Sequence, residues 1–481
     1  TLFAAGRMDA WFDNFDRFRA HCPTAMPMAI QALEIGMHRA DFTLLEAILD
    51  GLRKDNFLAG DVVELVDCLE ELLYLLLFFD IEPELIHALG NRYDAAAQRV
   101  YGPPAPPTQL RRPGPLRVGY LSADLRNHVM GKMIWQAVTH HDREKFEIFF
   151  YSMSAERDDW TERFVSIAEG FSLLTDLNDA GAAERIRADD LDLLVDLSTH
   201  TRGARPGVLA RKPARVQITH VASAGTLGLS AIDFKLTDHF ADIPENGAFQ
   251  VERLLPMEGC VYPYRQVAPA VVHPFQRAAL GIAPDAIVIG AFVNPLKLGR
   301  RCLALWREVL QSVPRAVLAF SPANPAQRES YVRLARAVGI DVKRLVFIPQ
   351  GRDDAENQSR YHVVDFVLDT MPFGGVNGTI EALAMHVPVV TLVGRRHGER
   401  TTYTILANLG VNETVAQSGR EYVEIARRLA VEPSFREAVR TRITAGIVDS
   451  PLTNMPQHTR NLETAYLRAM ADPAPLGPAG D

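Results

Sequence analysis

Apolar residues follow two different rhythms along this chain. Up to about residue 101 they recur at helical spacing, as in Leu44, Leu45, Ala47, Ile48 and Leu52. Gly6-Arg7-Met8-Asp9-Ala10 leads into one amphipathic run, and His38-Arg39-Ala40-Asp41-Phe42 leads into another. The interval is close to the repeat of about 34 residues of tetratricopeptide helical hairpins, which stack into a solenoid. An ordinary helical cap on the next domain fits the same pattern. Residues 102–115 (GPPAPPTQLRRPGP) form a proline-rich linker.

Beyond the linker the rhythm changes. Short apolar runs at 116–121, 146–151, 191–197, 216–220 and 234–237 read as strands, and 130–140 and 179–188 as helices. Regularity lapses around 265–276, and a second series begins. Its strands are expected at 286–292, 316–320 and 345–349, its helices at 302–311, 328–338 and through 421–446. Such alternation predicts the α/β class: two doubly wound parallel sheets in tandem behind an α-helical region. The expected boundaries are 1–101 for the tetratricopeptide-like region, 102–115 for the linker, 116–275 and 276–449 for two α/β domains, and 450–471 for a terminal helix. A Pro/Gly/Ala-rich tail, 472–481, is expected to be disordered. Two such domains are expected to form a cleft, with the carboxyl ends of both sheets facing a ligand.

Composition narrows the class. A 47% hydrophobic, 23% charged chain is ordinary for a soluble globular protein, and a net charge of −8 gives no general case for a nucleic-acid partner. Cys22, Cys68, Cys260 and Cys302 are widely spaced, which argues against a zinc site or disulfide framework and fits a cytoplasmic location. The longest apolar run, 72–79, is too short to span a bilayer, and no signal-peptide pattern opens the chain. A start at Thr1 rather than Met leaves upstream sequence open.

The segment 365–392, DFVLDTMPFGGVNGTIEALAMHVPVVTL, reads as strand, glycine loop, helix, strand. Gly374, Gly375 and Gly378 are expected to turn the backbone tightly and clear space for a ligand. Asn377 or Thr379 is expected to cap the helix, whose amino end suits a phosphate, and Glu381 in the first turn suits ribose hydroxyls. This segment alone fits a plain βαβ turn equally well. Lys297 and Asn294 lie in GAFVNPLK, just past a strand, where a lysine can neutralise a departing diphosphate. His128 in SADLRNHVMGK and His200 in DLSTHTRGAR follow strands of the first series, and a histidine there suits a general base or a substrate contact. Residues 224–228, with Gly225 and Thr226, form a second glycine turn able to approach a sugar. The bland readings are a surface lysine, solvated histidines and a βα turn. Asp190-Leu191-Asp192 matches a DxD metal pattern but precedes its strand, and reads as a solvated charge cluster. Neither a P-loop nor an HExxH motif occurs.

In order, LRVGYLSADLRNH (116–128), DLSTHTRGARP (196–206), KPARVQITHVASAGTLG (212–228), FVNPLK (292–297), the 365–391 segment and SPLTNMPQHTRNLETAYLRAM (450–470) resemble the O-linked N-acetylglucosamine transferase family, its SPINDLY-like branch included. The resemblance implies a GT-B glycosyltransferase that inverts the anomeric centre without a metal or other cofactor. UDP-N-acetylglucosamine would be the donor and protein Ser/Thr hydroxyls the acceptors, selected by the helical repeats. It implies His128 as base or substrate-orienting group and Lys297 as stabiliser of the leaving diphosphate. Asn294 would contact the nucleotide, and Asn377, Gly378 and Thr379 the phosphate. Glu381 stands where the family has a ribose-binding Asp. His200, Gly225 and Thr226 complete the expected donor site. The family's W-x-G-Y-P-G-T is here His220 to Thr226, its base-stacking histidine is replaced near Asn357, and its phosphate loop is altered at Gly374, Asn377 and Gly378. These departures keep open another donor, GDP-fucose or UDP-glucose, or a nucleotide-sugar-binding scaffold without activity. A sugar-nucleotide epimerase shares the fold but needs no repeat region.

Overall fold

The computed structural model describes residues 7–222, 224–265, 267 and 275–472. All but the first residue of the expected tail, and much of the expected lapse around 265–276, lie outside them. The chain divides into two compact units: Thr1–Ala59, Leu77–Ile81 and Gln266–Thr453 in one; Gly60–Leu76, Glu82–Arg265 and Asn454–Asp481 in the other.

This grouping cuts across the helical region expected over 1–101. Helices α1 (Met8–His21), α2 (Met26–Arg39) and α3 (Phe42–Arg53) belong with the second α/β series, and α4 (Val62–Leu75) and α5 (Pro83–Tyr101) with the first. Capping sets two of the starts: Asp41 accepts from Leu44 N, and Asp61 from Val63 N and Glu64 N. The reason for the division is packing. His38 of α2 is buried, with Nδ1 2.8 Å from Ser330 Oγ. On α5, Asp94 accepts from Ser230 N and Oγ at 2.8 and 2.9 Å, and a Cβ at Gly90 would stand 3.2 Å from Val251 Cγ2.

The first α/β series runs β1 (Leu116–Ser122), α6 (Val129–Val138), β2 (Phe146–Ser152), α7 (Asp159–Ile167), β3 (Gly170–Leu173), α8 (Asp179–Arg187), β4 (Leu193–Asp196), α9 (Pro206–Ala210), β5 (Val216–Thr219), β6 (Phe234–Asp238) and β7 (Arg253–Met257). Its strands form a parallel sheet in the order β3-β2-β1-β4-β5-β6-β7. Strands β3 and β7 have no counterpart in the apolar pattern. They are sheet edges with partly exposed positions, so no continuous apolar run marks them. One expectation is corrected here: Asp190 and Asp192 are buried, not solvated. Arg112 and Arg215 pair with Asp190 at 2.8 and 2.7 Å, Arg111 with Asp192 at 3.2 Å, and Arg117 N donates to Asp192. Their oxygens anchor the proline-rich linker and β1.

The second series runs β8 (Ile287–Ala291), α10 (Arg300–Ser312), β9 (Ala316–Phe320), α11 (Pro325–Ala337), β10 (Leu345–Phe347), α12 (Asp354–Ser359), β11 (Phe366–Leu368), α13 (Asn377–Ala384), β12 (Val389–Leu392), α14 (Thr401–Leu409), β13 (Val415–Ala416), α15 (Gly419–Val431) and α16 (Pro433–Val448). Its parallel sheet has the order β10-β9-β8-β11-β12-β13. Its core strands are buried on every residue of β11 and β12, which is why they read as unbroken apolar runs. Helix α17 (Met455–Ala471) belongs to the unit of the first sheet. Its Glu463 accepts from His141 Nδ1 at 3.0 Å and Asp142 N at 2.8 Å, and Tyr466 meets Tyr120 hydroxyl to hydroxyl at 3.2 Å. No helix among the described residues is long and apolar enough to cross a membrane.

Candidate active site

In a doubly wound sheet, ligands bind beyond the carboxyl ends of the strands where the order reverses. In the second sheet that point lies between β8 and β11. The segments leaving these strands, 292–299 and 369–376, carry Asn294, Lys297, Gly374 and Gly375. In the first sheet it lies between β1 and β4, whose exits are 123–128 and 197–205, with His128 and His200.

At the second sheet, exposed Asn294 caps a single 3₁₀ turn by accepting from Leu296 N at 3.0 Å, and Lys297 ends that turn. Lys297 Nζ donates to the Gly374 carbonyl at 2.8 Å and sits 4.0 Å from the centre of the Phe373 ring. Loss of water around the ammonium pushes its pKa down to about 8, while the Asp369 carboxylate pulls the other way. Asp369 is buried at the end of β11. Its Oδ1 accepts from Gly375 N and its Oδ2 from Thr391 Oγ1, both at 2.8 Å. Burial raises its pKa.

The glycine loop differs from expectation in how it uses its glycines. None of the three takes a positive φ. A Cβ at Gly374 would stand 2.8 Å from Asp369 Oδ2 and Thr401 Oγ1, and one at Gly375 2.8 Å from Thr379 Oγ1, so these two serve close approach. Around Gly378 the nearest atom to such a Cβ is 4.0 Å away.

Helix α13 starts at Asn377 after Val376, which provides no side-chain cap, and no acid lies in its first turn. The expected roles of Asn377 and Thr379 as caps are therefore corrected. Asn377 is the first helical residue and donates through Nδ2 to Glu381 at 2.9 Å; Thr379 is buried, its hydroxyl 2.9 Å from that of Thr402. Glu381 lies past the first turn, accepts from the Tyr361 hydroxyl at 3.4 Å, and stands 3.9 Å from Arg360. An uncapped amino end beside a lysine is an anion-binding arrangement.

At the first sheet, His128 is the N-cap of α6 and is 42% exposed at its side chain. Its Nδ1 is 3.3 Å from both Met130 N and Asp124 Oδ2. Burial pushes the ring below the usual histidine range, and Asp124 opposes that shift. In the tautomer that caps α6, Nδ1 accepts from Met130 N and Nε2 carries the proton; turning an Nδ1–H to Asp124 gives up that bond and leaves Nε2 free to accept a proton. A Cβ at Gly131 would stand 2.5 Å from Arg126 O, so the loop closes only with glycine there.

The remaining expected residues are elsewhere. His200 is buried, donates from Nε2 to Leu227 O at 2.9 Å, and is pushed down to about 4 by burial; its ring meets Tyr93 of α5 edge-on. Thr226 is buried and donates to Glu252, which also accepts from the amides of Leu227 and Gly228. Gly228, at φ +74°, is where α5 packs closely. At Gly228 the 224–228 turn packs against Leu73 of α4 and Gly90 and Tyr93 of α5.

Comparison with known sequences decides the family. The profile of glycosyl transferase family 41 matches residues 104–261 and 266–462. The chain belongs to this family. Among curated family relatives, SPINDLY of Arabidopsis thaliana, described as a probable UDP-N-acetylglucosamine–peptide N-acetylglucosaminyltransferase, is 29% identical over 73% of this chain and 39% of its own length. SPINDLY of Hordeum vulgare, with the same description, is 30% identical over 73% and 38%. The chain thus spans about two fifths of the length of these relatives. A lysine-to-methionine mutant of the Thermobaculum terrenum O-GlcNAc transferase aligns with 95% of this chain and 86% of its own at a TM-score of 0.78 and 27% identity. The two parallel sheets and leading helices are the GT-B architecture of this family.

Sequence reasoning missed Asp369 and Phe373 beside Lys297, and Asp124 beside His128. An acid closing an apolar strand before a glycine pair is a signal for the first, and an acid four residues before His128 for the last. Phe373 carries no chemical signature, and its place beneath Lys297 comes from tertiary structure alone.

Proposed function

We propose that the chain transfers N-acetylglucosamine from UDP-N-acetylglucosamine to Ser or Thr hydroxyls of proteins by a single inverting displacement without a metal. The observation that carries this reading is Lys297 held on the Gly374 carbonyl, three residues before the uncapped start of α13, at the switch point of the second sheet. Together they offer a diphosphate the positive charge a metal would otherwise supply. The acceptor oxygen attacks C1 as the bond from C1 to the β-phosphate oxygen breaks. The hydroxyl proton passes to His128 Nε2, directly or through water, and UDP leaves against Lys297. Asn377, Gly378 and Thr379 offer backbone N–H groups to the phosphates, with Asn294 and Glu381 toward the nucleoside. The helices would present acceptor polypeptide.

The test is Lys297→Met. Transfer, read as an intact-mass shift on a mixed protein substrate, should fall about 10²–10³-fold, with UDP binding still measurable by calorimetry. Near-normal transfer would sink the role. Running UDP-N-acetylglucosamine, UDP-glucose and GDP-fucose side by side decides the donor. Tight UDP binding with neither transfer nor donor hydrolysis would favour a scaffold.

A further inference from the structure

Asp369 has no part in the chemistry just described, yet it is the acid built into the loop that holds Lys297. Asp369 is 6% exposed. One oxygen takes the Gly375 amide and the other the Thr391 hydroxyl. The loop is fitted to it: a single added carbon at Gly374 would fall 2.8 Å from Asp369 Oδ2. On the other side of this loop the Gly374 carbonyl receives Lys297 Nζ, which also rests on Phe373. The Tyr422 hydroxyl donates to the Asp369 carbonyl at 2.8 Å and fixes the backbone from below. A buried carboxylate with oxygens held this way keeps its position, and its charge is weakly screened.

We propose that Asp369 is a positioning residue for the donor diphosphate, acting through Lys297 as the counter-charge that keeps it cationic and through Gly374 and Gly375 as the group that fixes the loop. The proposal rests on the donor-site reading above. Lys297 stands against Phe373 and donates to the carbonyl of Gly374, the same residue at which a Cβ would meet Asp369 Oδ2, so a single residue of the loop separates the carboxylate from the ammonium's anchor. Without the field of that carboxylate, desolvation acts unopposed and the ammonium loses its proton at lower pH. At neutral pH a share of the molecules would then meet UDP with a neutral lysine.

The test titrates Lys297 directly in the full chain. Acylation of Lys297 is followed by peptide mass spectrometry between pH 6.5 and 10 in wild type, Asp369→Asn and Thr391→Val. Asparagine is isosteric: it can still accept from Gly375 N, and the Thr391 hydroxyl can turn to accept from its amide. The midpoint should fall by about one pH unit in Asp369→Asn and stay in place in Thr391→Val, which loses a hydrogen bond but keeps the charge. An unchanged midpoint in Asp369→Asn, or equal falls in both variants, would overturn the proposal. Should the asparagine variant fail to fold, Asp369→Glu keeps the charge but displaces the loop. Its midpoint should hold while UDP affinity drops, and a fallen midpoint there rejects the idea. UDP added to wild type at pH 8 should slow the labelling. Failure of that protection removes the donor-site reading and leaves the titration result standing.

Discussion

Lys297 links burial to a pH dependence. Its pKa is lowered to about 8, so the free protein holds the cation below that pH and loses it as pH rises through it. Because kcat/KM reports the free enzyme, it should fall about tenfold per pH unit above roughly pH 8. A profile flat to pH 10 would show that the charge is not required. His128 sets the opposite limb. Its pKa lies below the ordinary value, so the neutral base is lost only as pH falls below the usual histidine range. Asp124→Asn removes the carboxylate that faces Nδ1 and favours its N–H form over the bond from Met130 N. Transfer should drop about 10²-fold with UDP affinity unchanged, read by mass shift and calorimetry. A parallel loss of UDP binding would place Asp124 in the fold of the loop instead.

Within the β11–α13 element, the three glycines separate fold from ligand. Alanine at Gly374 collides with Asp369 and Thr401, so that variant should lose stability together with UDP binding. Alanine at Gly378 meets no atom closer than 4.0 Å, so its melting temperature should hold. Its methyl group nevertheless projects where the amino end of α13 would hold phosphate, and UDP affinity should drop about tenfold. Unchanged UDP affinity in Gly378→Ala would move the phosphate elsewhere. Sequence alone marked this element because its strands are buried on every residue and its loop is glycine-rich. It could not separate the glycines, since close approach to Asp369 is a tertiary fact. For the same reason His200 and His128 read alike: each follows a strand, but α5 covers one and leaves the other partly open. The alternation specified both sheets, while the edge strands β3 and β7, with partly exposed positions, left no run to find. The helical period marked residues up to about 101 as helical but not what the helices pack against, because it records which face is apolar and not what covers it.

At the scale of the molecule, α17, the last helix among the described residues, packs into the unit of the first sheet. Helix α17 carries buried His458 there, next to His220 and His141. Burial pushes the His458 pKa to about 3, against an ordinary value near 6.5. A histidine with a folded pKa lowered in this way contributes its full stability above the unfolded value. That contribution is lost as pH falls from about 6.5 towards 3, because the unfolded chain takes up a proton that the folded one refuses. Between pH 7 and 5 the cost is about 2 kcal/mol for this one ring. His458→Gln removes the titration and keeps a polar side chain of similar reach. Hydrogen exchange of the α17 amides, measured at pH 7 and 5 and corrected for intrinsic rates, should show protection falling with acid in wild type. The variant should lose less, by a factor of about 30 if opening is governed by this proton. Equal acid sensitivity in the two proteins would show that other groups, such as the His141–Glu463 contact beneath the same helix, set the response.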